Sequence, residues 1–390
     1  MKKTGFASVL RRELRRLTSR RLYFGVCLAL PLFTLFFMAT IFGNGQMENI
    51  PIGLVDGDNS ATSRAIGRRI AAVPTFCVTR HFIDEAAARK AVQRKEIYGY
   101  LSIPVHFERD AVTGKRAVLS YYYHYALLAV GGELMAAFET ALAPVAMAPV
   151  TIQAVAMGVS GKRIGTFLLP VGADDHPLYN PSLDYSVYLS LPFFYVLFQV
   201  LILLITVYAV GSELKFGTAA DWLTTAGGSM TRAMAGKLLP YTVIFVLTGW
   251  LANLVLLGLL HIPFAESWWL LNGMTALFVI ATQALGVFLY ALFPVLSLVI
   301  SLVSMVGSLG ATLSGVTFPV LNLYPVVQGA AQLFPVRHFT EILQTLLYAH
   351  GGWMHVWQPA LALCFFVLPA VGLLGRLKRV IIHRTYEKIQ

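Results

Sequence analysis

A chain of 390 residues that is 57% hydrophobic, 13% charged and of mean hydropathy +0.68 carries more apolar surface than a water-soluble domain of this size hides. Its net charge of +11 does not mark a nucleic-acid binder, because the surplus basic residues flank apolar stretches, where anionic lipid headgroups are the nearer partners. Of three cysteines, Cys27 and Cys364 lie in apolar stretches and Cys77 stands alone in a polar region, which excludes a disulfide framework and reads Cys77 as a small buried apolar group.

Residues 1–21 open the chain with a basic run in which Phe6, Leu10, Leu14 and Leu17 recur at helical spacing opposite a basic face. This predicts an amphipathic helix along the cytoplasmic membrane surface, with a solvated basic tail as the alternative. Residues 22–42 are uncharged and span-length, and no A-x-A site follows, so they read as a retained first transmembrane helix rather than a removable signal.

Residues 43–181 hold 13 basic and 12 acidic residues, the near-balance of a water-facing domain. Alternating and amphipathic patterns predict strands at Ile50 to Asp56, Thr75 to Arg80, Ile97 to Ile103 and Ala117 to Tyr123, with helices at Ala61 to Ala72 and Asp84 to Gln93. The β-α-β-α-β order implies a small α/β domain. Asp58, Asn59 and Ser60 offer N-cap oxygens and Gly114 a turn, so Asp56 and Asp58 are read as capping and turn residues rather than catalytic ones. Ala126 to Met157 is apolar but carries Glu133, Glu139, Pro144 and Pro149; a carboxylate at mid-membrane costs roughly 2.5–3.5 kcal/mol, so a helix packed on this domain or lying at the membrane surface is expected.

Five further uncharged stretches follow within 185–375: Tyr185 to Val210, Leu238 to Leu260, Trp268 to Phe293, Val295 to Phe318 and Val356 to Gly375. With both ends and the 211–237 loop on one side, that side collects sixteen basic residues against four acidic ones. The positive-inside bias makes it the cytoplasm, leaving 43–181 outside and 376–390 as a basic cytoplasmic tail. The expected fold is therefore a polytopic all-α membrane domain of six transmembrane helices, both termini cytoplasmic, with an inserted α/β extracytoplasmic domain.

No energy source is legible in the chain. The pairs Gly114-Lys115, Gly161-Lys162 and Gly236-Lys237 lack the glycine five positions earlier that a phosphate-cradling loop needs, and no H-E-x-x-H or Ser/His pair shares a span. The spans carry no acid, base or histidine relay of the kind ion-driven carriers use. The chain is thus read as a non-enzyme without cofactor or metal site.

The 211–237 loop reads Gly211-Ser-Glu213-Leu-Lys215-Phe216-Gly217-Thr218-Ala-Ala-Asp221-Trp222-Leu223, then a glycine break. Thr218 is placed to cap a short helix whose exposed Trp222 suits a groove on another protein; an interfacial turn is the equal alternative. After the fifth span, Pro319, Pro325 and Pro335 forbid one continuous helix and leave short ones at Val326 to Leu333 and Thr340 to Tyr348. On the fifth span Ser297, Ser301, Ser304, Ser308 and Thr312 share one face, read as close helix packing, including packing across a dimer, or as a mildly polar conduit wall.

The order of these features resembles the membrane subunits of ABC type-2 exporters: Glu213, Gly217-Thr218, Trp222-Leu223 and Gly236-Lys237, then Ser314-Gly315-Val-Thr-Phe318-Pro319 and Phe334-Pro335-Val-Arg337-His338-Phe339, around six spans. Outside, Leu54-Val55-Asp56, Asp58-Asn59-Ser60, Ile103-Pro104 and Phe107-Glu108 extend the likeness. The resemblance implies that Glu213, Gly217, Thr218, Trp222 and Leu223 couple the spans to a separate nucleotide-binding ATPase subunit, which would hold ATP and Mg. It implies that the N-terminal helix touches that subunit, and that 319–350 is a re-entrant segment with Phe318, Pro319, Phe334 and Pro335 at the outer gate. It further implies pairing with a second copy or close relative in a bacterial inner membrane, compatible with a periplasmic adaptor. The expected function is a permease that moves an amphiphile outward on a partner's ATP hydrolysis. An ion-coupled secondary exporter and a membrane-anchored envelope interaction protein are the rival readings.

Overall fold

The computed structural model describes residues 4–19, 25–43, 47–113, 117–156, 184, 186–262, 264, 266–348 and 351–383. The chain divides into two compact units, Asn44–Leu183 and a second built from Met1–Gly43 with Asp184–Gln390. The turn expected at Gly114, residues 157–183 and the tail beyond His383 lie outside the described residues.

The second unit begins with α1 (Phe6–Ser19) and a π-helical turn, Gly25–Ala29, that runs into α2 (Leu30–Ile41). Of the first apolar stretch, expected to span 22–42, the described part is a helix of 17 residues, Gly25–Ile41; residues 20–24 lie outside the description. Phe33, Phe36, Phe37 and Ile41 are exposed around α2, as a hydrocarbon surrounding would accept.

In the unit Asn44–Leu183, β1 (Ile50–Asp56), β2 (Phe76–Phe82), β3 (Gly99–Ile103) and β4 (Ser120–Tyr123) form one sheet in the order β2-β1-β3-β4. The pairs of β1 with β2 and β3 are parallel, and β4 runs antiparallel to β3. The crossovers are α3 (Ala61–Ala71) and α4 (Glu85–Gln93), in the expected β-α-β-α-β order, followed by α5 (Phe107–Val112), which the sequence reading did not include. Ser60 Oγ caps α3 by accepting from Ser63 N at 3.0 Å, and Asp56 Oδ1 accepts from the amides of Asp58 and Asn59. Asp58 Oδ2 accepts from Glu108 N at 3.0 Å, closing the start of α5. These aspartates hold turns, as read from the sequence. Cys77 is half-buried rather than buried, because β2 is an edge strand. The apolar stretch with two carboxylates forms α6 (Leu128–Ala156), whose Leu134, Phe138, Ala141 and Leu142 close the core over Ile50, Ile52 and Leu101. It packs on this unit, the first of the two placements expected.

The chain then forms a π-helical turn, Ser186–Ser190, continuing as α7 (Leu191–Lys215), the short α8 (Ala219–Thr225), α9 (Met230–Leu259), α10 (Trp268–Leu292) and α11 (Leu296–Leu313). A broken segment follows: a 3-10 turn, Val320–Asn322, then α12 (Pro325–Ala331) and α13 (Pro335–Leu347), matching the two short helices expected between prolines. The last apolar stretch forms α14 (Trp353–Phe365) and α15 (Val367–Ile382). They part at Phe366 because Pro369 has no N–H to donate to Phe365 and its ring crowds that carbonyl. Among the described residues, five helices are long and apolar enough to cross a membrane: Ser186–Lys215, Met230–Leu259, Trp268–Leu292, Leu296–Leu313 and Trp353–Ile382. α7 and α10 are the most buried, apolar on all sides, while α11 and α14–α15 turn leucines, phenylalanines and methionines outward. At the centre Tyr195 meets Phe198, Phe278 and Phe339 edge to face, and Phe278 stacks on Phe339.

Candidate functional site

Charge enters this apolar unit where α1 crosses α9. Val9, Glu13 and Leu17, one turn apart, are the buried stripe of α1. The apolar face read from the sequence is therefore displaced: Phe6 and Leu14 stay exposed, and the protein-facing side carries a carboxylate. Close approach depends on Gly236, where a Cβ would stand 2.9 Å from Val9 Cβ and 3.1 Å from Phe6 O.

Immediately after that glycine, Lys237 is fully buried between two buried carboxylates. Its Nζ donates to Glu13 Oε2 at 2.7 Å and to Glu213 Oε1 at 2.8 Å. Glu213 also accepts from Arg12 Nη2 at 2.8 Å, from Arg16 Nη1 at 2.7 Å and from the Thr218 hydroxyl. Tyr241 OH donates to Glu13 Oε1 at 2.8 Å, and Arg16 Nη2 donates to Ser212 Oγ at 2.9 Å. Glu213 stands in the last turn of α7, where a helix dipole disfavours a carboxylate, so cations must supply its compensation. Buried ions lower stability unless every charge is paired and hydrogen-bonded, and here both carboxylates are. The cluster joins α1, α7, the segment after α7, and α9.

The residues expected to couple to an ATPase converge here in a different posture from the one expected. Gly217 adopts φ +68, Thr218 N donates to Glu213 O at 2.9 Å, and Gly217 N donates to Leu214 O at 3.1 Å, a Schellman stop that ends α7. Thr218 does not cap α8 with its side chain; its hydroxyl turns back to Glu213. Trp222 is not exposed: it is fully buried, its Nε1 donates to Ala233 O at 3.2 Å, and Lys237 Nζ lies 5.4 Å from its ring centroid. Leu223 is buried beside it, so the outward surface of this segment is Lys215, Phe216, Ala220, Asp221 and Thr224. The sequence reading missed Glu13, Arg12, Arg16, Lys237 and Tyr241 as site residues. The available signal was Glu13 itself, the one acid within the N-terminal arginine run.

The residues expected at an outer gate differ in exposure. Phe318 is 51% exposed and Pro319 is exposed, whereas Phe334 is 7% exposed and Pro335 begins α13 in the core. The broken segment is satisfied by protein: Gln199 Oε1 of α7 accepts Val336 N at 2.8 Å, and the Tyr188 hydroxyl donates to Val316 O. On α11 the packed face is Leu296, Val299, Val303, Gly307 and Gly310, not the hydroxyl stripe. Ser297, Ser301, Ser304, Ser308 and Thr312 are exposed on this chain, and the last four donate to carbonyls of their own helix. Away from the ion cluster, α7, α9 and α10 share an uncharged polar network. Tyr195 OH donates to Asn253 Oδ1 at 2.7 Å, and Asn253 Nδ2 donates to Asn272 Oδ1 and Thr275 Oγ1, both at 3.1 Å.

No curated protein sequence matches the chain. A family model described as ABC-2 family transporter protein matches residues 21–374, which takes in the apolar helices, the segment at Glu213 and the broken helices alike. The chain therefore belongs to the ABC-2 family of transporter proteins, as a membrane permease of that class.

Proposed function

We propose that this chain is the membrane-spanning subunit of an ABC exporter that moves an amphiphilic substrate outward, driven by ATP and Mg bound in a separate subunit. In this reading six spans place both termini in the cytoplasm of a bacterial inner membrane, with Gly25–Ile41 and the residues before it as the first span. The unit Asn44–Leu183 lies outside, where a periplasmic adaptor would meet it. Two copies, or this chain and a close relative, enclose the pathway, and the exposed hydroxyl stripe of α11 faces that partner or the conduit. Phe318, Pro319, Phe334 and Pro335 belong to the outer gate segment.

The observation that carries the reading is the buried ion cluster. It ties the segment expected to meet the ATPase to α1, α7 and α9 at once, so a push there moves three helices rather than a loop. The docking surface is then the outward side of α8, with Ala220, Asp221 and Thr224 beside Phe216. Trp222 and Leu223 serve as its internal brace. Asp221→Arg and Ala220→Arg change exposed positions only, and each is expected to abolish stimulation of the partner's ATPase and export at unchanged thermal stability. Wild-type stimulation in both variants overturns the assignment of this surface.

A further inference from the structure

Beside the ion cluster, a cleft of about 640 Å³ is lined by Arg12, Arg15, Arg16, Ser19, Phe216 and Thr218 among others. Its charge is unbalanced. Around it and the adjoining cluster, four cations (Arg12, Arg15, Arg16 and Lys237) meet two carboxylates, Glu13 and Glu213. Arg12 commits Nη2 to Glu213, while its Nη1 is buried with no hydrogen-bond partner among the described residues. A buried cationic N–H without an acceptor is costly, and buried donors in folded proteins are nearly always satisfied. Arg15 is exposed, and its guanidinium has no hydrogen-bond or ion-pair partner among the described residues. Phe216, directly after the last turn of α7, is 53% exposed and lines the cleft together with these arginines. Forked cations next to a ring at the end of a membrane span match a phosphate at headgroup depth with apolar chain beneath it.

We propose that this cleft binds the phosphate of an anionic membrane lipid, held by Arg12 Nη1 and the Arg15 guanidinium, with Phe216 against the glycerol and upper acyl region. The lipid would complete the donor set of Arg12 while Arg12 keeps Glu213. The cluster at the proposed coupling segment is then complete only in a bilayer that supplies such a lipid. Binding itself does not rest on the coupling role, so it is tested without any ATPase.

The full chain, purified in detergent, is titrated with short-chain phosphatidylglycerol, short-chain phosphatidylcholine and inorganic phosphate, and bound lipid is read by native mass spectrometry. Attraction to a basic surface alone changes binding by about fivefold per residue, so the site must exceed that. Wild type is expected to prefer phosphatidylglycerol over phosphatidylcholine by at least about tenfold, and Arg15→Gln, which lies outside the buried ion cluster, to lose that preference. Arg379→Gln, an exposed cation on α15 outside the cleft, is expected to keep it. Phe216→Ser should weaken the lipid while leaving inorganic phosphate unaffected. An unchanged preference in Arg15→Gln, or an equal loss in Arg379→Gln, overturns the site. Inorganic phosphate displacing the lipid at matched concentration overturns the lipid assignment in favour of a free anion.

Discussion

Replacing Lys237 by Met keeps the length and volume of the side chain and removes one charge from the centre of the cluster. Glu213 retains Arg12, Arg16 and Thr218, but Glu13 retains only the Tyr241 hydroxyl among the described partners. Breaking a buried ion pair from one side costs about 3–5 kcal/mol, because the surviving charge is left in an apolar surrounding. The lower half of that range is expected, since Tyr241 still donates at 2.8 Å. Adding Glu13→Gln removes the orphaned charge, so the double variant should regain about 2 kcal/mol relative to Lys237→Met. Equilibrium unfolding in mixed micelles measures both differences, and faster trypsin cleavage at Arg11 and Arg15 reports release of α1. A Lys237→Met protein within about 1 kcal/mol of wild type, or a double variant no better than the single, refutes the inference that these charges hold one another.

Gly236→Val should cost about 1–3 kcal/mol and expose α1 to trypsin, since even the first added carbon would meet Val9 at 2.9 Å. Trp222→Phe should cost about 1–2 kcal/mol, for the lost bond to Ala233 O and the weakened contact with Lys237, in the same unfolding assay. Trp222→Glu should unfold the segment outright by burying an unpaired charge, so its loss of function would report folding, not docking. Asp58 is held below the usual carboxylate range by the Ser60 side chain, against partial desolvation, with help from the amides of Glu108, Phe107 and His106. A depressed carboxylate stabilises the fold above its ordinary value and loses that contribution as pH falls through the folded one. Hydrogen-exchange protection of Phe107–Val112 should therefore fall as pH drops below about 4, and Asp58→Asn should remove that part of the dependence.

Five long apolar helices of the expected six were legible because a bilayer reads composition: an uncharged run of roughly 20 residues needs no knowledge of its neighbours. The α/β unit was legible because alternation and N-cap chemistry are local, down to Ser60 before α3. What sequence reasoning lost is decided across long separations. Glu13 and Lys237 stand 224 positions apart, and no periodicity announces their pairing. The same blindness shifted the apolar face of α1, where burial follows the position of α9 rather than the count of leucines. Trp222 was read outward because the helix carrying it is short; the helix that covers it, α9, begins beyond a glycine turn. Pro369 was visible but unused, and it divides the last stretch into α14 and α15.

The three cations on Glu213 differ in burial, and that difference orders their contributions. Arg12 is 30% exposed, Arg16 14% and Lys237 fully buried. Solvent screens the outermost pair, and its loss leaves Glu213 with two cations, so Arg12→Gln should cost under about 1 kcal/mol. Arg16 also donates to Ser212, so Arg16→Gln removes two contacts of a charged donor and should cost about 1–3 kcal/mol. Lys237 serves both carboxylates and has no solvent to replace it, which places it highest. Unfolding titrations of the three single variants should therefore rank Arg12→Gln, Arg16→Gln and Lys237→Met in rising order. An α1 that moves with the proposed coupling segment can then loosen its arginines at small cost while Lys237 keeps α7 and α9 together. A reversed ranking, with Arg12 the costliest to lose, would place the pivot at the exposed edge of the cluster and leave Lys237 a passive filler.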